Sequence, residues 1–424
     1  MSAVWSEENK FASWLKVEVA AVQAWADMGA VPKADADKIA ANARFKLEDV
    51  ERYEREMHHD MNAFLRSVSD SLGEEGRWVH LGLTSYDTED PATAIRMVEA
   101  ADILLRDLNA LEAAITKRAL EHKDTLMMGR THNMHAEPIT FGLKLLNWLD
   151  EVRRDIKRLE AAREDIAVGK LSGPVGSHAT VPPELEERVC ARLGLGVDAV
   201  STQVISRDRH AHFLQTIALI GASLERFATE VRHLQRSEVG EAEEPFQKGQ
   251  QGSSSMPHKR NPEKCERVCG LARVLRGNAQ VAVENVALWH ERDISNSSAE
   301  RIIIPDSCLA LDYMLAMFTD IVAGLVVYPR RMLENMEITR GVVFSQRVLL
   351  ALVEKGMSRQ EGYYVVQRAG HNALDQRRPF RETIAEEPEV QHRLTAAELD
   401  TLFDYTSFTR EVDKSFARLG LAET

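Results

Sequence analysis

The stretch HFLQTIALIGASLERFATEVRHLQ, residues 212–235, decides the fold class. Its apolar side chains Phe213, Ile217, Ile220, Leu224, Phe227, Val231 and Leu234 recur in alternating steps of four and three. That is the seam of an α-helix that packs as part of a bundle or coiled coil. The same spacing governs Met97, Ala101, Leu104, Leu108, Leu111 and Ile115, within a run from Ala92 to Lys123 that contains neither Gly nor Pro. Leu143 to Val168, Glu263 to Trp289 and Ser307 to Val327 are further long helical stretches. Five helices well above the usual length of about 11–12 residues predict an extended central bundle.

The composition agrees with an all-α chain. Of 424 residues 44% are hydrophobic but only 6% aromatic, a balance that suits Leu, Ala and Val on helix seams better than a β-sandwich. Shorter helices broken at Gly29, Pro32, Gly73 and Gly82 precede the bundle, and the pattern shortens again after Tyr328-Pro329. We therefore expect an N-terminal α domain over 1–88, the long-helix bundle over 89–330 and a C-terminal α domain over 331–424. Helices apolar around much of their circumference need several neighbours, which predicts a homo-oligomer.

The net charge of −13 argues against a general nucleic-acid or membrane-surface binder, so an anionic substrate requires a local basic pocket. The four cysteines, Cys190, Cys265, Cys269 and Cys308, lack zinc or disulfide spacing and read as reduced thiols. The start MSAVWSEENKFASWLK has no cationic stretch followed by a long apolar run, and no later segment reaches about 18 uninterrupted apolar residues. The expected location is the cytoplasm. His58-His59-Asp60 has no HExxH motif or carboxylate triad beside it, so no metal is expected. The charged stretches Glu241 to Glu244 and Arg153 to Arg158 read as solvated surface.

Chemistry concentrates where Gly, Ser and Pro interrupt the bundle, in 169–183 and 249–262. Gly252-Ser-Ser-Ser-Met-Pro-His-Lys-Arg-Asn-Pro262 leads into a helix that starts near Glu263. Such a loop offers backbone N–H groups and a positive helix end, reinforced by Lys259 and Arg260, to a carboxylate or to the aci-carboxylate formed when a proton leaves the adjacent carbon. A serine-rich loop alone would be a flexible surface segment; the eleven-residue string is far more specific.

GSSSMPHKRNP is very similar to the signature loop of the fumarase/aspartase superfamily, in the form carried by its adenylosuccinate lyase branch. His80-Leu-Gly-Leu-Thr-Ser-Tyr-Asp87 and Gly129-Arg-Thr-His-Asn-Met-His-Ala-Glu-Pro138 resemble its other two signature regions. Ser201-Thr-Gln203, Trp289-His-Glu-Arg292 and Ser297-Ser-Ala-Glu-Arg301 fit the same order across nearly the whole chain. The resemblance implies a three-domain, all-α homotetramer with each active site shared by three chains. It implies elimination of fumarate from an N-substituted aspartate, namely adenylosuccinate and the succinylaminoimidazole carboxamide ribotide of purine synthesis, without a cofactor. By the same resemblance Ser253 is the general base on a mobile loop and His132 the general acid, which His59 supports. Lys259 and Asn261 hold the succinyl carboxylates with Thr84, Ser85, Thr131 and Gln203, and Glu266 orients the pair. Asp60 and Met256 join the substrate-binding set, and Arg292, Ser297 and Arg301 hold the nucleotide phosphate.

The residue types suit that chemistry. A serine hydroxyl becomes a strong base only where a cation, loop N–H groups and exclusion of water favour the alkoxide. A histidine near neutral pH can protonate the departing nitrogen. The sequence also departs from the pattern. The family's Arg-Tyr-containing start has no counterpart from Met1 onward, His58 stands where arginine is common, Tyr86 where a small residue is usual, and Asn133 where glycine is usual. Two other readings stay open on these grounds: a lyase acting on a different N-substituted aspartate, and a scaffold tetramer without activity, against which Ser253, His132 and Lys259 count.

Overall fold

The computed structural model describes residues 1–421 and is mostly helical. Helix α1 (Glu7–Asp27) starts on the Ser6 hydroxyl, which accepts the Asn9 N–H at 3.1 Å. Three shorter helices follow, α2 (Lys33–Asn42), α3 (Leu47–Met57) and α4 (Asp60–Ser69). The long helix α5 (Ser85–Glu121) comes next, then strands β1 (Leu126–Thr131) and β2 (Met134–Thr140), and helix α6 (Phe141–Ile166). The remaining elements used below are α7 (Pro183–Leu193), α8 (Asp208–Gln235), α9 (Glu263–Glu284) and α10 (Ser295–Gly324), followed by short C-terminal helices from Pro329 onward.

Every residue of the two seams read from the sequence is buried, from Met97 to Ile115 on α5 and from Phe213 to Leu234 on α8. Helix α10 begins twelve positions earlier than its apolar pattern, because the polar run from Ser295 carries no seam and Pro305 sits inside the helix. By length and composition α10 could cross a membrane. Its residues Ile303, Ile304, Cys308, Leu311, Met314, Leu315, Phe318 and Ile321 are instead buried in protein, as in a core helix.

The chain forms two compact units, one of residues 1–110, 154–225 and 268–317, the other of residues 111–153, 226–267 and 318 onward. In the first, Phe11 and Trp14 of α1 meet Phe64 of α4, with rings stacked at 5.7 Å and edge-on at 5.4 Å, in a core completed by Val17, Val50, Met61 and Val68. In the second, Trp148 of α6, Phe227 of α8 and Phe318 of α10 form a triangle of rings 4.9 to 6.2 Å apart. Such clusters fix the rotation of each helix about its axis, which sets where polar side chains at the helix ends point.

Strands β1 and β2 add a small hairpin to the helical frame that the sequence pattern does not announce. They pair antiparallel, Thr131 opposite Met134 and Arg130 opposite His135, with an irregularity at Gly129. A side chain at Gly129 would collide with the Glu137 carbonyl. The turn residues His132 and Asn133 both have positive φ, 52° and 63°, as a two-residue type I′ hairpin requires and asparagine tolerates. Asn133 is thus a backbone substitute for the glycine usual at that position.

Candidate active site

In the second unit the signature loop is shaped by its own polar groups. Asn261 donates its amide to the Gly252 carbonyl at 2.9 Å, and Gln235 donates to the Arg260 carbonyl at 3.1 Å. The Ser253 hydroxyl accepts the backbone N–H groups of Met256 at 3.1 Å and Ser255 at 3.3 Å. A Cβ on Gly252 would run into the Lys259 carbonyl, backbone that cannot give way cheaply. Gly252→Ala should therefore reshape the loop and lower kcat/KM by a factor of about 100 or more, since small misplacements of catalytic groups have that effect. Steady-state kinetics beside a melting curve check this: lost activity with an unchanged melting temperature is the expected pair.

The base of the loop departs from expectation. The first-turn N–H groups of α9 are occupied: Glu244 accepts Cys265 N–H at 2.6 Å and Lys264 N–H at 3.3 Å. Glu244 is buried, as is Glu241, so this acidic stretch is not solvated surface. Glu241 receives Arg130 of β1 through two bonds of 2.7 and 2.9 Å and the Asn335 amide at 2.8 Å. Arg130 lies two residues before His132, so a buried carboxylate anchors the strand that presents the candidate acid. Arg153 to Arg158 is only partly solvated, since Asp155 and Ile156 are buried. Among the described residues the side chains of His132 and Lys259 have no partner, and Ser253 makes no bond to His132. Thr131 and Met256 are exposed, as is Glu266 in the first turn of α9.

In the first unit Lys170 and Asp87, both fully buried, form an ion pair at 2.6 Å. Asp87 also accepts the N–H groups of Thr84 at 2.9 Å, Ser172 at 3.0 Å and Gly173 at 3.2 Å, while Lys170 donates to the carbonyls of Gln203 at 2.8 Å and Gly173 at 3.2 Å. Thr84, Ser85 at the start of α5, and Gln203 are thereby held from one saturated centre. No signal in the sequence points to Lys170 and its partner, because charged residues are read as exposed until paired. His59 caps α4, its Nδ1 accepting Asn62 N–H at 3.4 Å, after His58 ends α3 at φ 53°.

The three candidate phosphate ligands sit in the same unit. Arg301 donates to Asp60 at 2.7 Å, and Arg292 donates to the Gln203 side chain at 3.0 Å while lying over the Tyr86 ring at 3.7 Å. Ser297 is buried. Burial pushes the half-buried Glu89 carboxyl up to about 8; Asp60 and Asp90 add to the rise, and Arg301 and Arg292 oppose it. A carboxyl that holds its proton more tightly in the folded state stabilises the fold fully below its unfolded value of 4.5, and that contribution is lost as pH rises toward about 8. Glu89→Gln should flatten the fall of melting temperature over this window. Parallel melting curves for both proteins at several pH values test the prediction, and identical slopes would refute it.

The helical frame with a serine loop, a histidine turn and a separate arginine cluster is that of a lyase. Residues 1–277 match the family model described as Lyase, and residues 341–419 match that described as Adenylosuccinate lyase C-terminus. Adenylosuccinate lyase of Bacillus subtilis (strain 168) is 50% identical over 422 residues, covering 100% of this chain and 98% of the relative. That of Aquifex aeolicus (strain VF5) is 49% identical over 422 residues, covering 99% and 97%. Among solved structures, a fumarate lyase from Mesorhizobium sp. BNC1 superposes with a TM-score of 0.91 at 26% identity, covering 98% of this chain and 97% of the other. A 3-carboxy-cis,cis-muconate lactonizing enzyme from Pseudomonas putida does so with 0.89 at 27%, covering 98% and 95%. The chain belongs to the adenylosuccinate lyase family.

Proposed function

We propose that this lyase eliminates fumarate from adenylosuccinate to give AMP, and from the succinylaminoimidazole carboxamide ribotide to give its carboxamide. Ser253 as alkoxide takes the proton from the succinyl carbon beside a carboxylate; the electron pair left behind forms the C=C bond of fumarate as the C–N bond breaks, and His132 delivers a proton to the departing nitrogen. The observation that carries this reading is the pair of N–H groups from Ser255 and Met256 converging on the Ser253 hydroxyl. Two donors aimed at one oxygen favour its anionic form. Lys259 and Asn261, with Thr84, Ser85, Thr131 and Gln203, bind the succinyl carboxylates, and the aci-carboxylate that develops draws on the same groups. Glu266 orients Lys259 and Asn261, His59 supports His132, and Asp60 and Met256 line the substrate. Arg292, Ser297 and Arg301 hold the phosphate.

The working form is a homotetramer of three-domain subunits, divided near residues 88 and 330, whose active sites each draw on three chains. Exposed Leu219, Val274 and Ile302 on the long helices support burial between copies. The four cysteines are all buried and none is in a disulfide, which fits a reducing cytoplasm. The decisive experiment measures fumarate released from adenylosuccinate, with N-substituted aspartates lacking a nucleotide alongside. Turnover of adenylosuccinate supports the reading; turnover of a smaller aspartate alone would reassign the substrate and keep the chemistry.

A further inference from the structure

Tyr86 occupies a position that the elimination chemistry does not use, yet its ring lies against Arg292, one of the three residues placed at the phosphate. The Arg292 guanidinium lies over its ring at 3.7 Å. The ring is only 6% exposed, so this contact is shielded from water. A second guanidinium, that of Arg207, lies 5.7 Å from the ring and is itself fixed by Asp90 at 2.8 Å and Glu300 at 3.0 Å. Gln203 takes one Arg292 donor at 3.0 Å, while Arg292 Nε is buried with no acceptor. A planar guanidinium laid on a ring and tied at one corner cannot turn about its axis. Its remaining N–H edge has the fork geometry that suits an oxyanion, and Nε is a donor awaiting one.

We infer that Tyr86 is a positioning residue that sets Arg292 for a phosphate monoester, and so makes this site select phosphorylated over unphosphorylated N-substituted aspartates. The inference rests on the proposed lyase reading and adds the residue that enforces its substrate class. Tyr86 acts through binding alone, so its removal changes KM and leaves the chemical step intact. Stacking of a desolvated guanidinium on an aromatic face is strong enough that its loss should weaken phosphate binding by roughly 10- to 30-fold.

The test compares wild type, Tyr86→Phe, Tyr86→Leu, Arg292→Ala and the Tyr86→Leu/Arg292→Ala double variant as assembled protein. Each is assayed with adenylosuccinate and with the same molecule lacking its phosphate. For Tyr86→Leu the expected result is a KM for the nucleotide raised by about 10- to 30-fold, with kcat within about twofold and kcat/KM for the nucleoside unchanged. Tyr86→Phe keeps the ring beneath Arg292 and should therefore keep a KM for the nucleotide close to that of wild type. Because Tyr86 works through Arg292, the double variant should be no worse than Arg292→Ala, a non-additivity that independent structural damage would not produce. Equal losses on nucleotide and nucleoside, a fall in kcat at constant KM, or additive losses would overturn the inference. Wild type inactive on adenylosuccinate would overturn the assignment of adenylosuccinate as substrate instead.

Discussion

Ser253→Ala is expected to lower turnover by at least about a thousandfold, while the assembled protein and its melting temperature persist. The hydroxyl is the point on which the N–H groups of Ser255 and Met256 converge, and alanine leaves them without an acceptor in a loop outside the hydrophobic cores. His132→Ala should fall comparably, because the departing nitrogen then leaves without a positioned proton. The two defects differ in kind. A substrate whose leaving group needs no protonation should restore much of the rate to the His132 variant and none to the Ser253 variant. Rapid-quench measurement of fumarate separates them, and a Ser253→Ala protein that turned over at a near-normal rate would show that another group is the base.

The largest loss of stability is expected from Lys170→Met. Its ammonium and the Asp87 carboxylate are both fully buried and 2.6 Å apart, and removing one partner of such a pair destabilises by about 3–5 kcal/mol, because the other charge stays buried without compensation. Three backbone N–H groups still face Asp87 and soften the loss. The carbonyls of Gly173 and Gln203 lose their donor as well. Adding Asp87→Asn to Lys170→Met should recover part of the stability by removing the stranded charge. Denaturant unfolding of the single and double variants tests this, and a double variant less stable than Lys170→Met alone would contradict it.

The long helices were legible because spacing in fours and threes is a local property that packing later exploits. Phe213 to Leu234 and Met97 to Ile115 are buried as their periodicity demands. The hairpin was not legible: Gly129 and Pro138 disguise its strands, and the positive φ of His132 and Asn133 belongs to the turn alone. Helix α10 was read short because Ser295 to Arg301 is polar. At the site, motif residues could be named, but their partners could not. Glu244 reaches α9 from 20 positions away, Lys170 meets Asp87 across 83, and Tyr86 lies under Arg292 only in the folded chain. Buried charge, the property that makes Glu241 and Glu244 anchors, leaves no trace in composition.

Glu244 has a consequence for how this protein can change over generations. By holding the N-terminus of α9, a single carboxylate keeps the two ends of the segment from 244 to 264 together whatever lies between. The entropy of closing a tethered loop grows only slowly with its length, by about 0.6 kcal/mol for each doubling. The frame beneath therefore stays fixed whatever the loop carries, so what constrains the residues near its middle is the geometry around Ser253 and the chemistry it serves, not the folding of α9. The tether partitions the segment into a foot answerable to stability and a tip answerable to catalysis, so that a change in one need not be compensated in the other.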